Sequence, residues 1–476
     1  MTDLTMSTAT ERRPVVERDA VEQLAASLRG ELLTPTSIGY DSARTIWNAM
    51  IDRRPALIAR CLSAADVVQA VRFARDHEMD LAIRGGGHNI AGNALCDGGL
   101  VIDLSRMKSV RVDRRRKTAR VEPGATLRDF DHDAQTFGLA TPLGINSTTG
   151  VAGLTLGGGF GWLSRKFGLT VDNLLSADIV TADGELREAS EAENPDLFWA
   201  IRGGGGNFGV VTSFDFQLHE VGPIVFGGLI VHPFDHAGEL MRRYRDVMAS
   251  APDDVVAWVV LRKAPPLPFV PAEMHGKEIM AIAALHIGKL EDGERALQPV
   301  RSIGKPIADM VMPQPYTAFQ QAFDPLLTPG ARNYWKSHNF AQLSDDLIDT
   351  ILEYARRLPD PQCEIALAQL GGAASRKPND ATAYVQRDAQ FVMNVHGRWS
   401  DAARDSDCIS WARSLFEATI PYASGGAYVN FLTQEEGDRI RSAYGPNYDR
   451  LVAVKTKYDP RNLFHVNQNI RPTVTA

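Results

Sequence analysis

Apolar residues recur at helical spacing after Ser63, where Val67, Val68, Val71 and Ala74 share one face. Ser63-Ala-Ala-Asp66 opens that helix as a capping-box-like start, with Asp in place of the usual Glu. The pattern then shortens to the apolar run Leu81-Ala82-Ile83, which predicts a strand running into glycines. Leu100-Val101-Ile102 and Thr118–Val121 predict two more strands, split by a basic turn at 114–117 that reads as solvated rather than as a phosphate site. Residues 20–32 and 127–137 read as helices, and Asp183-Gly184 signals a hairpin between 177–182 and 185–189. Pro195–Ile201 reads as a short helix, followed by glycines at 203–206 and a strand over 210–216.

After about His219 the texture changes. Strand-like runs at 225–231, 255–261, 279–287, 365–370 and 390–399 interleave with helices near 237–248 and 293–303. An antiparallel sheet with helices on one face, an α+β arrangement, fits that order.

Composition narrows the partners. The chain has 476 residues, 51 basic against 58 acidic, and a net charge of −7. That balance favours neither nucleic acid nor an anionic membrane, and no apolar stretch is long enough to span a bilayer. The polar N-terminus, to about Arg13, lacks the apolar core of a signal peptide and reads as a loose tail. Cys61, Cys96, Cys363 and Cys408 form no C-x-x-C pair, so reduced thiols and a cytoplasmic location are expected.

Gly204-Gly-Gly-Asn-Phe-Gly209 matches G-x-G-x-x-G, but a helix precedes it and a strand follows, the reverse of a dinucleotide fingerprint. There is no P-loop, no H-E-x-x-H, no ligand cluster for a metal and no G-x-S-x-G elbow. Glycine-rich turns instead spread over a long stretch, from Arg84-Gly-Gly-Gly-His88 through Gly150, Gly153 and Gly157–Gly161. Consecutive glycines allow backbone N–H groups to converge on a pyrophosphate, though such a turn is also ordinary chain reversal with a solvated His. An extended cofactor cradled by several loops suits the spread, with FAD as the leading candidate.

Arg84-Gly-Gly-Gly-His88-Asn, Gly157-Gly-Gly-Phe-Gly161, Arg165-Lys-Phe-Gly-Leu169, Val171-Asp-Asn173, Tyr428-Val-Asn430-Phe and Asn462-Leu-Phe-His-Val-Asn-Gln-Asn-Ile470 resemble the vanillyl-alcohol-oxidase-type FAD-linked oxidases. The similarity is greatest to their berberine-bridge-enzyme-like branch, which includes bacterial oxidases of secondary metabolism, and it runs from about residue 40 to 472. It implies an N-terminal tail and helix (1–40) and an FAD-binding domain of two α/β subdomains (41–218). It further implies an α+β substrate domain (219–424) and a C-terminal segment returning to the FAD domain (425–476).

The resemblance makes His88 the residue bonded to the flavin 8α carbon. Members with a second bond carry a Cys where this chain has Gly144-Ile-Asn-Ser-Thr-Thr-Gly150, and no Cys lies between Cys96 and Cys363, so a single attachment is implied. The missing Cys also argues for a smaller, more enclosed substrate. Matching positions assign the cofactor to Arg84, Gly85, Gly86, Gly87, His88, Asn89, Gly92, Thr148, Gly150, Gly153, Gly158, Gly159 and Gly161. Asn173 is expected to cap the turn after it, Val211 to pass the adenosine, and Asn467 and Asn469 to lie near the pyrimidine.

Hydride transfer from a carbon bearing O–H or N–H needs a proton acceptor. Tyr428 is the candidate, although a core Tyr with a satisfied hydroxyl is the plain alternative. Lys336, on a strand near the ring in relatives, is expected to lower its pKa. Asn394 stands where some plant members carry a Glu base. Asn394 and His396 share a strand face from which either could touch substrate, but both read rather as structural, and Trp335 and Tyr334 read as packing.

The leading expectation is an oxidase acting on an alcohol, amine or hydroxylated ring, with O₂ as acceptor giving H₂O₂. A dehydrogenase with another acceptor, or a flavoprotein that sequesters a drug-like metabolite, are the alternatives. The protein is expected to be a monomer or homodimer without a resident metal.

Overall fold

The computed structural model describes residues 16–473. Its first sheet places Glu31–Leu33, Leu57–Arg60, Leu100–Asp103 and Leu81–Arg84 side by side, the last three parallel. Helix Ala64–Asp76 connects Leu57–Arg60 to Leu81–Arg84 and buries Val67, Ala70, Val71 and Ala74 against Leu57, Leu81 and Ile102. Its cap is as expected, since the Ser63 hydroxyl accepts from the Asp66 amide. Each such fully buried Val or Leu contributes about 1.5–3 kcal/mol relative to exposure. The strand therefore delivers the glycine turn at 85–88 from a rigid base.

The helix expected over 20–32 stops earlier, at Ser27. The Asp66 carboxylate accepts from the Arg29, Gly30 and Leu62 amides, which holds the chain in a turn. Residues Glu31–Leu33 then run as a strand. The polar tail expected to about Arg13 lies outside the described residues.

A second, five-stranded antiparallel sheet runs Val110–Asp113, Thr118–Val121, Val210–Gln217, Leu174–Val180, Leu186–Ser190. The hairpin at Asp183-Gly184 is formed as expected. Helix Tyr448–Tyr458 packs here, with Leu451 and Val454 buried among Phe198, Ile201 and Phe214. Inside this packing Lys455 is fully buried, its ammonium bonded to Asp459 at 2.6 Å and to the Asn207 and Phe464 carbonyls at 2.8 Å each. Those bonds tie the C-terminal segment to the loop at 203–209.

The third sheet has eight strands, all antiparallel. Its long members are Ile224–Pro233, Glu278–His286, Val255–Lys263, Glu364–Gln369, Phe391–Trp399 and Arg332–Phe340, in that spatial order. Val259, Leu261, Ile365, Leu367, Met393 and Val395 turn one face toward Met241, Tyr244, Ile348, Ile351 and Leu415 of the helices Ala237–Ala249, Asp345–Ala355 and Asp405–Thr419. Alternate residues turn the other face toward Phe160, Trp162 and Tyr428. The α+β expectation, with helices on one face of the sheet, matches this arrangement. Among the described residues no helix is long and apolar enough to cross a membrane.

Candidate active site

A cavity of about 350 Å³ lies between the glycine turns and the helix-free face of the large sheet. One wall is backbone. Gly85–His88, Gly150, Gly153, Gly205 and Gly206 contribute it, with Asn89, Val211 and Asn467 at its margins. A Cβ added at Gly153 or Gly206 would meet no atom within 4 Å, so both positions leave open space. Gly86 is different: a Cβ there would collide with the Gly150 backbone, so these two turns pack main chain on main chain.

His88 stands at the edge of this wall. Its ring stacks on Trp47 at 4.9 Å and 21°, and its Nε2 is 2.9 Å from the Thr148 hydroxyl. Trp47 is itself tied to the turn, its amide donating to the Gly87 carbonyl at 3.1 Å. Burial pushes the His88 imidazole down to about 4, with the Asp324 carboxylate opposing, so the ring is neutral near pH 7.

The opposite wall is side chains at alternate strand positions. Glu364, Ala366 and Ala368 line it from one strand, Val392, Asn394 and His396 from the next, and Trp258 and Trp335 from the strands on either side. Glu364 faces His396 across the strands, with Nδ1 to Oε1 at 3.2 Å, and its other oxygen accepts from Arg262 at 2.7 Å. Burial alone would raise the Glu364 pKa, but Arg262 and His396 outweigh it and hold it down at about 2. His396 Nε2 contacts Asn333 Oδ1 at 3.1 Å, and burial lowers the His396 pKa while Glu364 opposes. The Trp335 indole N–H and Asn394 Oδ1 are both buried without protein partners.

Tyr428 closes the cavity between the walls. It is 3 % exposed and sits among Phe160, Phe431 and Tyr384. Asn430 is oriented by donating to the Gly153 and Leu154 carbonyls, so the same amide nitrogen also donates to the Tyr428 hydroxyl oxygen at 2.9 Å. Burial pushes the Tyr428 pKa up to about 12, and the donors Asn430 and the Gly159 amide only partly offset it.

A family model for the FAD binding domain matches residues 55–190, and one described as berberine and berberine like matches residues 427–471. Over 459 residues the chain is 32% identical to an FAD-linked oxidoreductase of Dictyostelium discoideum, covering 95% of this chain and 97% of that one. It is 33% identical to the (R)-6-hydroxynicotine oxidase of Paenarthrobacter nicotinovorans over 94% of this chain and 97% of the relative. The crystal structure of 6-hydroxy-D-nicotine oxidase from Arthrobacter nicotinovorans superposes with a TM-score of 0.84 at 32% identity, over 94% of this chain and 99% of that one. A chitooligosaccharide oxidase shares the fold, with a TM-score of 0.84 at 24% identity. The chain belongs to the berberine-like family of FAD-linked oxidoreductases.

The cavity fits FAD, the cofactor of that family. Its backbone wall leaves space at Gly153 and Gly206 where side chains would intrude, and Asn467 Oδ1 is a buried acceptor without a protein partner at the same wall. Of the residues assigned to the cofactor from sequence, Gly85, Gly86, Gly87, His88, Asn89, Gly150, Gly153, Val211 and Asn467 line the cavity. The others stand one layer back. Arg84 donates to the Ala43 carbonyl, and Gly92 closes on Ile51. Gly158 packs on Tyr384, Gly159 on Thr170, and Gly161 on the Leu143 carbonyl. Thr148 reaches the cavity only through His88. Asn469 lies outside the lining, with its Oδ1 buried and unpartnered.

Two expectations need correction. Asn173 does not cap the turn that follows it. Its amide donates to the Phe167 and Leu169 carbonyls, so it closes the turn before it, while its oxygen contacts His219 at 2.6 Å. Lys336 does not reach Tyr428. It falls on the opposite strand face from Trp335, where its ammonium pairs with Glu435 at 2.9 Å and Glu436 at 3.2 Å. Asn394 and His396 do share the cavity face, and Trp335, read as packing, lines the cavity too.

Sequence reasoning missed Trp47, Phe160, Trp258 and Glu364. The last two lie in or beside strands that the pattern predicted, but parity alone does not say which face meets a cavity. The loop at 204–209, set aside because it cannot be a dinucleotide fingerprint, nevertheless lines the cavity through Gly205, Gly206, Asn207 and Gly209.

Proposed function

We propose that this FAD-linked oxidoreductase is an oxidase of a small alcohol, amine or hydroxylated ring, with dioxygen taking the electrons to give H₂O₂. FAD supplies the hydride acceptor. In this reading residues 41–218 and 425–476 hold the cofactor, residues 219–424 form the substrate wall, and His88 makes one covalent bond to the flavin. The four cysteines, all buried and free, suit a reducing, cytoplasmic setting.

Tyr428 carries the proton chemistry. An alcohol or amine must give up its heteroatom proton as the hydride leaves, so Tyr428 acts through its phenolate form, whose oxygen accepts from Asn430 and the Gly159 amide and keeps a lone pair for the substrate proton. The same two donors stabilise that phenolate until it takes the proton, in the manner of an oxyanion site. On the sheet wall, the Trp335 N–H and Asn394 Oδ1 offer one donor and one acceptor to orient the substrate. Trp258, Ala368 and Val392 keep water from the reacting carbon.

The observation that carries the reading is the placement of Tyr428, between the glycine wall and the sheet wall, with two fixed donors on its oxygen. The 6-hydroxynicotine oxidase at 33% identity supports the electron acceptor. Screening alcohols and amines for anaerobic bleaching of the flavin, then for peroxide on admission of air, tests it. Bleaching without peroxide would assign a dehydrogenase, and binding without bleaching a sequestering protein.

A further inference from the structure

We propose that the cavity-facing side of strand Arg332–Phe340, together with Asn394 beside it, binds an uncharged carboxamide or lactam group of the substrate. The inference rests on the reading given above, that the sheet wall meets the substrate.

Side chains alternate along this strand, and the fate of their polar atoms alternates with them. On the side away from the cavity, each polar side chain from 334 to 338 has a partner. The Tyr334 hydroxyl bonds Glu435, the Lys336 ammonium pairs with Glu435 and Glu436, and His338 Nε2 donates to the Phe416 carbonyl at 3.0 Å. The other side is the reverse. Among the described residues, Trp335 Nε1, Ser337 Oγ and Asn339 Nδ2 are all buried without a hydrogen-bond partner. Strand pairing adds a fourth such atom, because Ser337 stands directly opposite Asn394, whose Oδ1 is also buried and unpartnered. Asn339 stands opposite Val392 in the same register. Trp335, Asn394 and Val392 line the cavity.

Buried polar groups are nearly always paired, and each one left unpaired costs stability. Four on one patch of wall mark a surface that a ligand completes. Their chemistry selects the ligand. The Trp335 indole N–H only donates, so its partner carries an acceptor, whereas Asn394 Oδ1 only accepts, so its partner carries a donor. The Ser337 hydroxyl serves either way. A carboxamide or lactam sets C=O and N–H side by side without net charge. A carboxylate would bring acceptors alone, and an amidinium donors alone.

Charge points the same way. Glu364 is the only Asp, Glu, Lys or Arg among the described residues lining the cavity, and its oxygens are taken by Arg262 at 2.7 Å and His396 at 3.2 Å. An ion buried at this patch would therefore find no counter-charge. On their other side Asn394 and Val392 are flanked by Ala366 and Ala368, with Trp258 beyond. The substrate is thus an amide-bearing ring compound whose hydrocarbon part lies over these small and aromatic side chains. Trp335, Ser337 and Asn394 are its specificity-determining residues.

Benzamide, benzoate and benzamidinium share one shape and differ in charge and in hydrogen-bonding pattern. Calorimetric titration of the holoenzyme with each at pH 7 should show benzamide binding at least tenfold more tightly than the other two. Benzoate or benzamidinium binding as tightly as benzamide, or no binding by any of the three, would overturn the inference. Asn394→Leu should remove the preference while bound FAD per chain stays constant, and Ser337→Ala should weaken benzamide at least threefold. A preference intact in both variants would place amide recognition elsewhere and also overturn it. The peroxide screen reads the oxidase assignment separately. Substrates that yield peroxide from a protein without the benzamide preference would overturn this inference alone, and a benzamide preference with no substrate bleaching the flavin would overturn the oxidase reading alone.

Discussion

The cavity wall made by Gly85–His88, Gly150 and Gly205–Gly206 is main chain, whereas the wall facing it is side chains drawn from alternate positions of neighbouring strands. A backbone wall owes its shape to residues that lack a side chain, so its specificity is for an extended group that runs along amides. The sheet wall can exchange any one side chain without changing its frame, because cross-strand pairs fix the register. On the proposed reading, cofactor binding and substrate choice are built by different means in one cavity. Changes to the two walls should separate in experiment.

The largest separation is expected at Tyr428, which belongs to neither wall. Tyr428→Phe should slow anaerobic flavin reduction by about a hundredfold or more while bound FAD stays constant. A rate within threefold of wild type would remove Tyr428 from the proton chemistry.

On the sheet wall, Glu364→Gln should cost on the order of 3 kcal/mol of stability near pH 7, because the native carboxyl titrates at about 2 and the unfolded one near 4.3. That contribution is present above pH 4.3 and fades as pH falls toward 2. The gap between wild-type and variant denaturation curves should thus narrow below pH 4, and a gap independent of pH would contradict the assignment.

Lys336→Met, behind the sheet wall, should cost about 3 kcal/mol, since it strands the buried Glu436 carboxylate as well as the partly exposed Glu435. It should leave the pH profile of flavin reduction unmoved. A displaced profile would reinstate Lys336 as a group acting on Tyr428.

The smallest effect belongs to the backbone wall. Gly206→Val should weaken FAD binding about tenfold, the lower part of the cost of overpacking, with unchanged melting of the flavin-free protein. Equal melting losses with and without FAD would mean that Gly206 serves the fold alone.

The same division explains what could be read from the chain. Gly85, Gly86, His88 and Gly150 stand out because clustered glycines and a terminal His are rare and local, and they do line the cavity. Gly158, Gly159 and Gly161 look the same in sequence but serve close packing against Tyr384, Thr170 and Leu143. Local composition does not reveal which atoms approach from elsewhere in the chain. The strands carrying Trp258, Glu364 and Asn394 were legible by period, but the face turned to the cavity is set by where the helices dock. Lys336 shows the cost most clearly, since resemblance to a strand of relatives placed it near Tyr428 and the alternation of side chains placed it on the other side. Arg332–Phe340 alternates poorly, with polar Ser337, His338 and Asn339 all buried, so its own pattern announces no strand.

The central claim is that the glycine wall holds FAD with His88 as its only covalent anchor. Intact mass of the acid-denatured holoenzyme tests it most directly. The account predicts a wild-type mass heavier than the chain by one FAD, with yellow colour kept in the pellet, and a His88→Ala protein at the mass of the bare chain. A colourless wild-type pellet at chain mass, or a His88→Ala protein that keeps the added mass, would contradict it.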